Sequence, residues 1–433
     1  MNAVNRKISP EITNFPKLRL PDVSMRDIGN GANLVTLNSG NQPIVQLTLV
    51  YEGGKLDFKN PAIPMLVSAS LRDGCETMSG DEVEYQLDFN GAWLKSEVRD
   101  HHSVVTLTSL SSKLDKVLPI VRGILTSPTF PMQRISRNKD KMVASWELQR
   151  KKVDYLAESA SLCQLAGSGH PLTIEATPER ISAVDWQMMV ESQRLMYATS
   201  SMSAYLAGCF NESEQDLVVR FLESLPTGNQ PVACRLKPFE TECSTPEVVV
   251  DYKGALQSAV VMAIPAIDRY HNDYCMLRLA AMALGGYFGS RLMTNLREKQ
   301  GLTYGVSAGL YGYHEGGAVV ISTQCDNRSV RAVIDGTKRE IRHLIEEPPM
   351  EEELERLVQT ANSELASILD SPFNVINHVA AHRLAGTPPD YFDRQQTAVD
   401  SLSPDAISDC ASRYLDVDRM LVAIAGDTTT MVK

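Results

Sequence analysis

Two halves of the sequence carry the same order of secondary-structure patterns, and this duplication limits the fold more than any other feature. In the first half, alternating apolar residues at 44–50 predict a strand, and a helical pattern follows that opens at Pro64 and stops at Gly74. In the second half, residues 259–264 predict the strand and 274–284 the helix. Two further strand patterns, rich in β-branched and aromatic residues, follow each pair, at 93–98 with 103–108 and at 304–311 with 317–322.

Each half then continues with a helical pattern, at 113–125 and 329–341, and ends with a strand pattern, at 202–207 and 420–426. A period near half the chain length indicates a duplicated domain, because solenoid repeats are only about 20 to 50 residues long. We therefore predict an α+β fold of two similar domains, each a mostly antiparallel sheet covered by helices.

The predicted domains are residues 1–225 and 247–433. The linker predicted between them, 226–246, is rich in Pro, Gly, Thr and Ser and has no helical periodicity. The chain of 433 residues is 43% hydrophobic and 22% charged, which is enough apolar material for at least two cores.

The charge and the cysteines limit the partners and the compartment. A formal net charge of -11 argues against nucleic acid as a partner, because surfaces that bind phosphates need clustered Lys and Arg. The sequence has no apolar run of about 18 residues, so we expect no membrane span. The eight cysteines are scattered singly, which fits reduced thiols in the cytoplasm. A trimmed signal peptide would leave the same sequence, so a periplasmic location stays open.

One block of the second half, residues 284–307, reads LGGYFGSRLMTNLREKQGLTYGVS. It resembles the second-domain signature of the insulinase/pitrilysin family of zinc metallopeptidases, half-size branch. In that signature Gly-Ser-Arg-Leu leads to Leu-Arg-Glu-Lys-x-Gly-Leu-x-Tyr. The resemblance extends over most of the chain and includes the Gly53-Gly54 turn and Gly169-His-Pro171. It implies the fold of the mitochondrial processing peptidase type, in which two related α+β domains are paired.

The resemblance also shows where zinc would be bound. Active members carry His-x-x-Glu-His on the first-domain helix, because histidines at i and i+4 grip one ion and the Glu deprotonates the zinc-bound water. Counted from Gly74, these positions fall on Met65, Ser68 and Ala69, and residues 63–71 contain no His and no acid. We therefore identify a member without the zinc motif and expect no metal in this chain.

The third ligand in the family is a Glu roughly 75 residues downstream of the second His. That spacing ends near Ser145, and the nearest carboxylate is Glu147. Glu147 occupies the ligand position if the intervening loops carry a small insertion, and otherwise it is a solvated helix charge. A lone carboxylate would not hold zinc tightly in either case.

Two residues of the quoted block, Arg297 and Tyr304, match the Arg and Tyr that the family places across the cavity from zinc. The resemblance implies that they hold the substrate backbone and stabilise the tetrahedral intermediate. A guanidinium donates to peptide carbonyls in a fixed fork, and a phenol donates to a developing oxyanion. The alternative is an ordinary surface Arg and a strand Tyr.

Two histidine pairs outside these motifs have structural interpretations. His378 and His382 are spaced i and i+4 but lack the Glu and lie in the wrong half for the zinc motif. His101 and His102 lie at a strand turn, where alternation is expected to direct them to opposite faces.

The motifs together suggest a non-zinc subunit of a two-chain metallopeptidase that cleaves peptides. A homologous partner would supply zinc, and this chain would contribute Arg297 and Tyr304 to the shared site. We expect a heterodimer, with a homodimer possible, and no activity for the chain alone. The alternative is a non-enzymatic scaffold or peptide-binding protein, like the core subunits of respiratory complexes that resemble this family.

Overall fold

The computed structural model describes residues 16–228, 238–239 and 245–431. We call residues 16–228 the first half and 245–431 the second half. The described strands and helices of the first half are, in chain order, β1 (Ser24–Asp27), β2 (Asn33–Asn38), β3 (Ile44–Glu52), α1 (Ala62–Ser70), β4 (Gly74–Cys75), β5 (Met78–Ser79), α2 (Gly80–Phe89), β6 (Trp93–Val98), β7 (His102–Leu110), α3 (Leu114–Thr126), α4 (Met132–Gln149), α5 (Val153–Ala166), α6 (Pro178–Ser182), α7 (Trp186–Met196), β8 (Met202–Gly208) and α8 (Glu212–Glu223).

The second half repeats much of this order, with five helices between β12 and β13 as there are between β7 and β8 in the residues described. Its described elements are β9 (Glu247–Asp251), β10 (Gln257–Ala266), α9 (Tyr274–Gly285), the π-helical segment Met293–Lys299, β11 (Thr303–Gly312), β12 (Gly317–Asp326), α10 (Val330–Glu346), α11 (Glu351–Ile368), α12 (Pro372–Leu384), α13 (Tyr391–Asp400), α14 (Pro404–Tyr414) and β13 (Leu421–Gly426). Over the ranges described, no helix is both long enough and apolar enough to cross a membrane.

Each half builds one large sheet. In the described residues the first sheet has the strand order β1-β2-β8-β3-β7-β6 and the second has β11-β12-β10-β13-β9. Neighbouring strands are antiparallel except β2 with β8 and β13 with β9. The predicted α+β fold with mostly antiparallel sheets is confirmed. Most of the predicted linker, 226–246, lies outside the described residues, and the domain boundaries stay a prediction.

The central strand β10 shows how the two halves are joined. Its residues 258–264 are buried without interruption, which is the pattern of a strand covered on both faces. The helices of the second half cover one face. The other face is covered by α5 of the first half, whose Leu156 and Ala157 pack against Val261 and Ala425.

The exchange is reciprocal, because α12 of the second half covers the outer face of the first sheet. Val375 and Ile376 of α12 pack in one apolar cluster with Val50 and Tyr205. Burying a side chain such as Val or Ile contributes roughly 1.5 to 3 kcal/mol. Each half therefore completes the other half's core.

The outermost strands β6 and β11 occupy equivalent places in the duplication. Each follows a glycine with a φ of +63°, Gly91 and Gly301, a conformation that glycine adopts without steric cost. An exposed aromatic residue lies at the start of each strand: Trp93, the first residue of β6, is 75% exposed and Tyr304, the second residue of β11, is 92% exposed. Both strands leave a row of backbone groups unpaired within the sheets described, so they are open to strand addition.

Candidate functional site

The helix at the predicted zinc position is α1, and its bounds differ from the prediction. It begins at Ala62, so Pro64 lies inside the first turn and does not open the helix. The first four N–H groups of a helix have no partner within it, so a proline there removes no hydrogen bond. The helix ends at Ser70, and a short 3₁₀ turn, Leu71–Asp73, leads to Gly74.

The three positions predicted for the zinc motif, Met65, Ser68 and Ala69, lie on one side of α1 and differ in exposure. Met65 lines a cavity between the halves, and Ala69 is exposed one turn later, as expected for i and i+4. Ser68 is buried. A thioether, a hydroxyl and a methyl group do not fit zinc, which takes thiolate, imidazole or carboxylate ligands. In the ranges that the structure describes, no group of three His, Cys, Asp or Glu side chains is arranged to hold a metal ion.

Ser68 is part of a buried hydroxyl network. Its Oγ lies 2.6 Å from Oγ of Ser96 on β6, and Ser96 Oγ lies 3.4 Å from the phenol oxygen of Tyr197. The Tyr197 ring meets that of Tyr51 edge to face, with centroids 5.1 Å apart. Burial raises the pKa of Tyr197 to about 12 despite its bonds to the serines, and burial also raises the pKa of Tyr51. No member of this network is a base at neutral pH, so it performs no proton abstraction.

Helix α4 presents Ser145, and not Glu147, to the cavity. Ser145 lines the cavity together with Met142 and Trp146, which lie three residues before it and one after it. Glu147 is exposed and is not among the lining residues. Two residues along a helix turn the side chain by about 200°, which accounts for the difference. The geometry favours Ser145 as the counterpart of the third ligand, and the assignment of Glu147 stays a prediction.

Arg297 and Tyr304 lie on a separate surface of the second half. Arg297 is in the π-helical segment, and its guanidinium carbon lies 4.6 Å from the centroid of the exposed Phe288 ring. Tyr304 follows at the start of β11, where the register with β12 shifts between Thr303 and Val306. This irregularity leaves Tyr304 projecting into solvent. Neither residue lines the cavity beside Met65, and their roles stay a prediction.

The cavity has a volume of about 730 Å³ and is formed by both halves. The first half contributes α1, α4, α5 and the segment that follows α5, and the second half contributes the sheet face opposite its own helices. Pockets at domain boundaries are common binding sites. Its lining is apolar and aromatic with a few charged groups, and it includes Lys55, Met65, Trp146, Tyr155, Glu158, Glu175, Val261, Tyr311 and Tyr313.

Sequence reasoning did not find the carboxylates of this cavity. Glu175 accepts a hydrogen bond from Nε1 of Trp146 at 2.8 Å, and Nη1 of Arg150 lies 3.6 Å from its other oxygen. Burial, together with the charge of Asp154, raises the pKa of Glu158. The i, i+3 and i+7 spacing of Tyr155, Glu158 and Leu162 on α5 is the signal that places them on one face.

The tips of two equivalent hairpins also meet between the halves. His101, before β7, places Nε2 3.2 Å from Oε1 of Glu315, before β12, and its ring centroid lies 4.6 Å from that of His314. His101 lies in the turn that precedes β7, so strand alternation applies only from His102 onwards, and the centroids of the two rings lie 6.5 Å apart. Burial and the neighbouring imidazoles of His101 and His314 lower the pKa of His102 to about 4.

Comparison with known proteins gives one family match. The family model described as "Peptidase M16 inactive domain" matches residues 187–361. A protein of Helicobacter pylori named "Non-peptidase homolog YmxG" is 26% identical over 260 residues. That stretch is 59% of this chain and 59% of the relative, so the chain matches less than two thirds of the relative's length.

Solved structures share the fold over nearly the whole chain. A crystal structure of a peptidase M16 inactive domain from Pseudomonas fluorescens superimposes with a TM-score of 0.84 at 23% identity, covering 95% of this chain and 100% of that one. A protease from Helicobacter pylori gives a TM-score of 0.85 at 14% identity, covering 94% and 100%. At these identities the structural similarity establishes the fold alone.

Proposed function

Because the chain belongs to the peptidase M16 family of insulinase-like proteins and lacks the family's zinc motif, we propose that it is the non-zinc subunit of a two-chain metallopeptidase. In this proposal a homologous partner supplies His-x-x-Glu-His and the third ligand. This chain contributes Arg297 and Tyr304 to the shared site. The substrates are peptides or unfolded segments.

The observation that carries the proposal is the contrast between the two motifs. At the zinc position, Ser68 is buried in a hydroxyl network that has no acid–base chemistry. At the other motif, Tyr304 is 92% exposed and Arg297 lies over the exposed ring of Phe288. Large exposed aromatic side chains beside an arginine are typical of interaction sites. The second motif is thus free to meet a partner.

The chemistry divides between the two chains. Zinc in the partner would lower the pKa of its bound water and polarise the scissile carbonyl. The Arg297 guanidinium would donate to the peptide backbone in a fixed fork, and the Tyr304 hydroxyl would donate to the developing oxyanion. The edge strand β11, whose second residue is Tyr304, offers its unpaired backbone groups to an extended peptide.

The test is peptide hydrolysis by the chain mixed with a zinc-bearing homologue. We expect no cleavage by this chain alone, cleavage by the mixture, and a loss of kcat of about 10²-fold with Tyr304→Phe or Arg297→Ala. Matched controls are Tyr85→Phe and Arg339→Ala, which alter an exposed tyrosine and an exposed arginine outside residues 284–307. Equal cleavage by the mixture with and without Arg297 and Tyr304 would refute the proposal.

A second candidate function is a scaffold or peptide-binding protein without catalysis. It is favoured by the match to a relative that is itself named a non-peptidase homolog. Under this alternative Arg297 and Tyr304 are structural remnants, and no peptidase partner exists. An adjacent reading frame that encodes His-x-x-Glu-His would favour the two-chain enzyme, and zinc-free complexes in a pull-down would favour the scaffold.

A further inference from the structure

A second cavity, of about 690 Å³, lies at one end of the second sheet. It is lined by the end of β10, the start of β12 and the ends of α10 and α14, together with Phe239 from the segment between the halves. Its volume is within the range of roughly 300 to 1,000 Å³ that is usual for small-ligand sites. We call it the arginine cavity, because Arg342, Arg413 and Arg419 are among its lining residues.

One side of the arginine cavity is apolar. Ile345 and Val417 line it and are only partly buried, so they present apolar surface to a ligand. Phe239 adds an aromatic ring that is fixed in place. Its N–H donates to the carbonyl oxygen of Glu315 at 3.1 Å, and its ring packs on Gly316, where a Cβ would lie 3.0 Å from Cδ2. An apolar ligand group would be removed from water on this side.

Two of the charged residues on the cavity wall already have partners. Nη1 of Arg413 lies 2.6 Å from Oδ2 of Asp273. Oε1 of Glu315 lies 3.2 Å from Nε2 of His101, and the Glu315 side chain is buried. Both charges are therefore engaged within the protein.

Arg342 and Arg419 are the cations left for a ligand. In the part of the chain that the structure describes, neither forms an ion pair or a side-chain hydrogen bond. The other carboxylate on the wall, Asp416, accepts the backbone N–H of Asp418 at 2.9 Å. Two guanidinium groups thus stand against one carboxylate, so the open charge of the cavity is positive.

The arginines and the apolar side suit two parts of one ligand. A guanidinium binds a carboxylate through parallel N–H donors in a fixed fork. The C-terminal residue of a peptide carries a carboxylate and a side chain on the same carbon atom, so an apolar residue at that end would match both sides of the cavity. The volume leaves room for the residue before it as well.

We propose that the arginine cavity binds the C-terminus of a peptide, with Arg342 and Arg419 at the carboxylate and an apolar last side chain against Phe239, Ile345 and Val417. The inference rests on the proposed function only in naming a peptide as the ligand. Binding requires this chain alone, without zinc or a partner chain.

The test is calorimetric titration of the isolated chain, at low ionic strength, with acetyl-Gly-Ala-Leu that ends in a free carboxylate. The comparison ligand is the same peptide with a C-terminal amide, which removes the charge. We expect the free carboxylate to bind about tenfold more tightly. Isocaproate, which has the carboxylate and the apolar group of leucine but no peptide, is expected to bind more weakly than the peptide.

Both arginines are exposed, so replacing them does not disturb the core. The double variant Arg342→Gln/Arg419→Gln is expected to bring the affinity ratio of the carboxylate and amide peptides near one. The control Arg339→Gln alters an exposed arginine of α10 that does not line the cavity, and it is expected to preserve the ratio.

Arg342 also lies near the C-terminal end of α10, where a cation offsets the partial negative charge of the helix. If the arginines serve only stability, the double variant unfolds at a lower urea concentration and keeps the affinity ratio, which overturns the proposal. Equal affinity for the carboxylate and amide peptides also overturns it, and equal affinity for isocaproate overturns the assignment of a peptide. A failure of the mixed hydrolysis assay leaves this binding result intact, so the two proposals fail separately.

Discussion

The Oγ atoms of Ser68 and Ser96 lie 2.6 Å apart, so the position predicted for the family's general base carries a hydrogen-bonded hydroxyl. Ser96 connects this pair to Tyr197 at 3.4 Å. Because buried polar groups are costly when unpaired, the serines contribute to stability only as a pair. The Ser68 hydroxyl therefore has a structural role at the position predicted for the general base.

Removing one member of this pair is expected to destabilise the fold. Ser68→Ala leaves the Ser96 hydroxyl with its long contact to Tyr197, and we expect a loss of about 1 kcal/mol in the free energy of unfolding. The double variant Ser68→Ala/Ser96→Ala is expected to lose less than the sum of the single variants. Urea denaturation measures this, with Ser145→Ala, an exposed serine, as the control. Strict additivity would show that the hydrogen bond contributes nothing.

Restoring the zinc motif tests the alignment of α1. A variant with Met65→His, Ser68→Glu and Ala69→His places two imidazoles on the accessible face of the helix. With Ser145→Glu added, we expect about one zinc ion per chain, because three protein ligands then meet in the cavity. Metal analysis after dialysis measures the content. Zinc binding by the unmodified chain would contradict the alignment.

The variant with the restored zinc motif also tests whether Ser145 or Glu147 is the counterpart of the third zinc ligand. We expect the variant without Ser145→Glu to bind zinc more weakly, because Glu147 is exposed and does not line the cavity. Competition with a chelator gives the two affinities. If Glu147→Gln weakens zinc binding in the variant that retains Ser145, Glu147 is the third ligand after all.

Local periodicity predicted the strands and helices that depend on contacts between residues close in sequence. The strand expected at 93–98 coincides with β6, and the helix expected at 274–284 is α9 without its last residue. The first helix begins before its predicted start at Pro64. Proline is accepted throughout the first turn of a helix, so it marks the start only approximately. The order of elements in the duplication supplied the fold class.

Contacts between residues far apart in sequence left no periodic pattern from which they could be predicted. The exchange of α5 and α12 between the halves depends on how the sheets face each other, which the helical patterns alone do not specify. His101 and Glu315 are far apart in sequence, and His101 lies in a turn, where strand alternation does not indicate its partner. No sequence pattern distinguishes Glu158 from an ordinary helix charge, because only the tertiary structure brings the tyrosines of the second half into the same cavity.

The hairpin contact predicts energetic coupling between the halves. Glu315 is 8% exposed, and its Oε2 atom has no hydrogen-bond partner among the residues described. His101→Ala would remove the partner of the other oxygen, so we expect a loss of roughly 1 to 3 kcal/mol in the free energy of unfolding. Adding Glu315→Ala to His101→Ala is expected to cost less than Glu315→Ala alone. Denaturant unfolding measures these free energies and shows whether His101 and Glu315 are energetically coupled. The control is His343→Ala, which alters an exposed histidine.

Acid is expected to destabilise the fold through buried histidines such as His382. Its ring stacks on Tyr391 at 4.4 Å, and its Nδ1 lies 3.0 Å from Oγ1 of Thr387. Burial, followed by the charges of His378 and Arg269, lowers the pKa of His382 to about 4, from an ordinary value of 6.5. The unfolded chain therefore binds more protons between these two values, and stability falls as the pH falls through that window. The free energy of unfolding at pH about 7.5 and about 5 is expected to differ less in His382→Gln than in the unmodified chain, whereas the exposed His343→Gln keeps the full difference. An equal pH dependence in all three proteins would show that His382 is protonated alike in the folded and unfolded states.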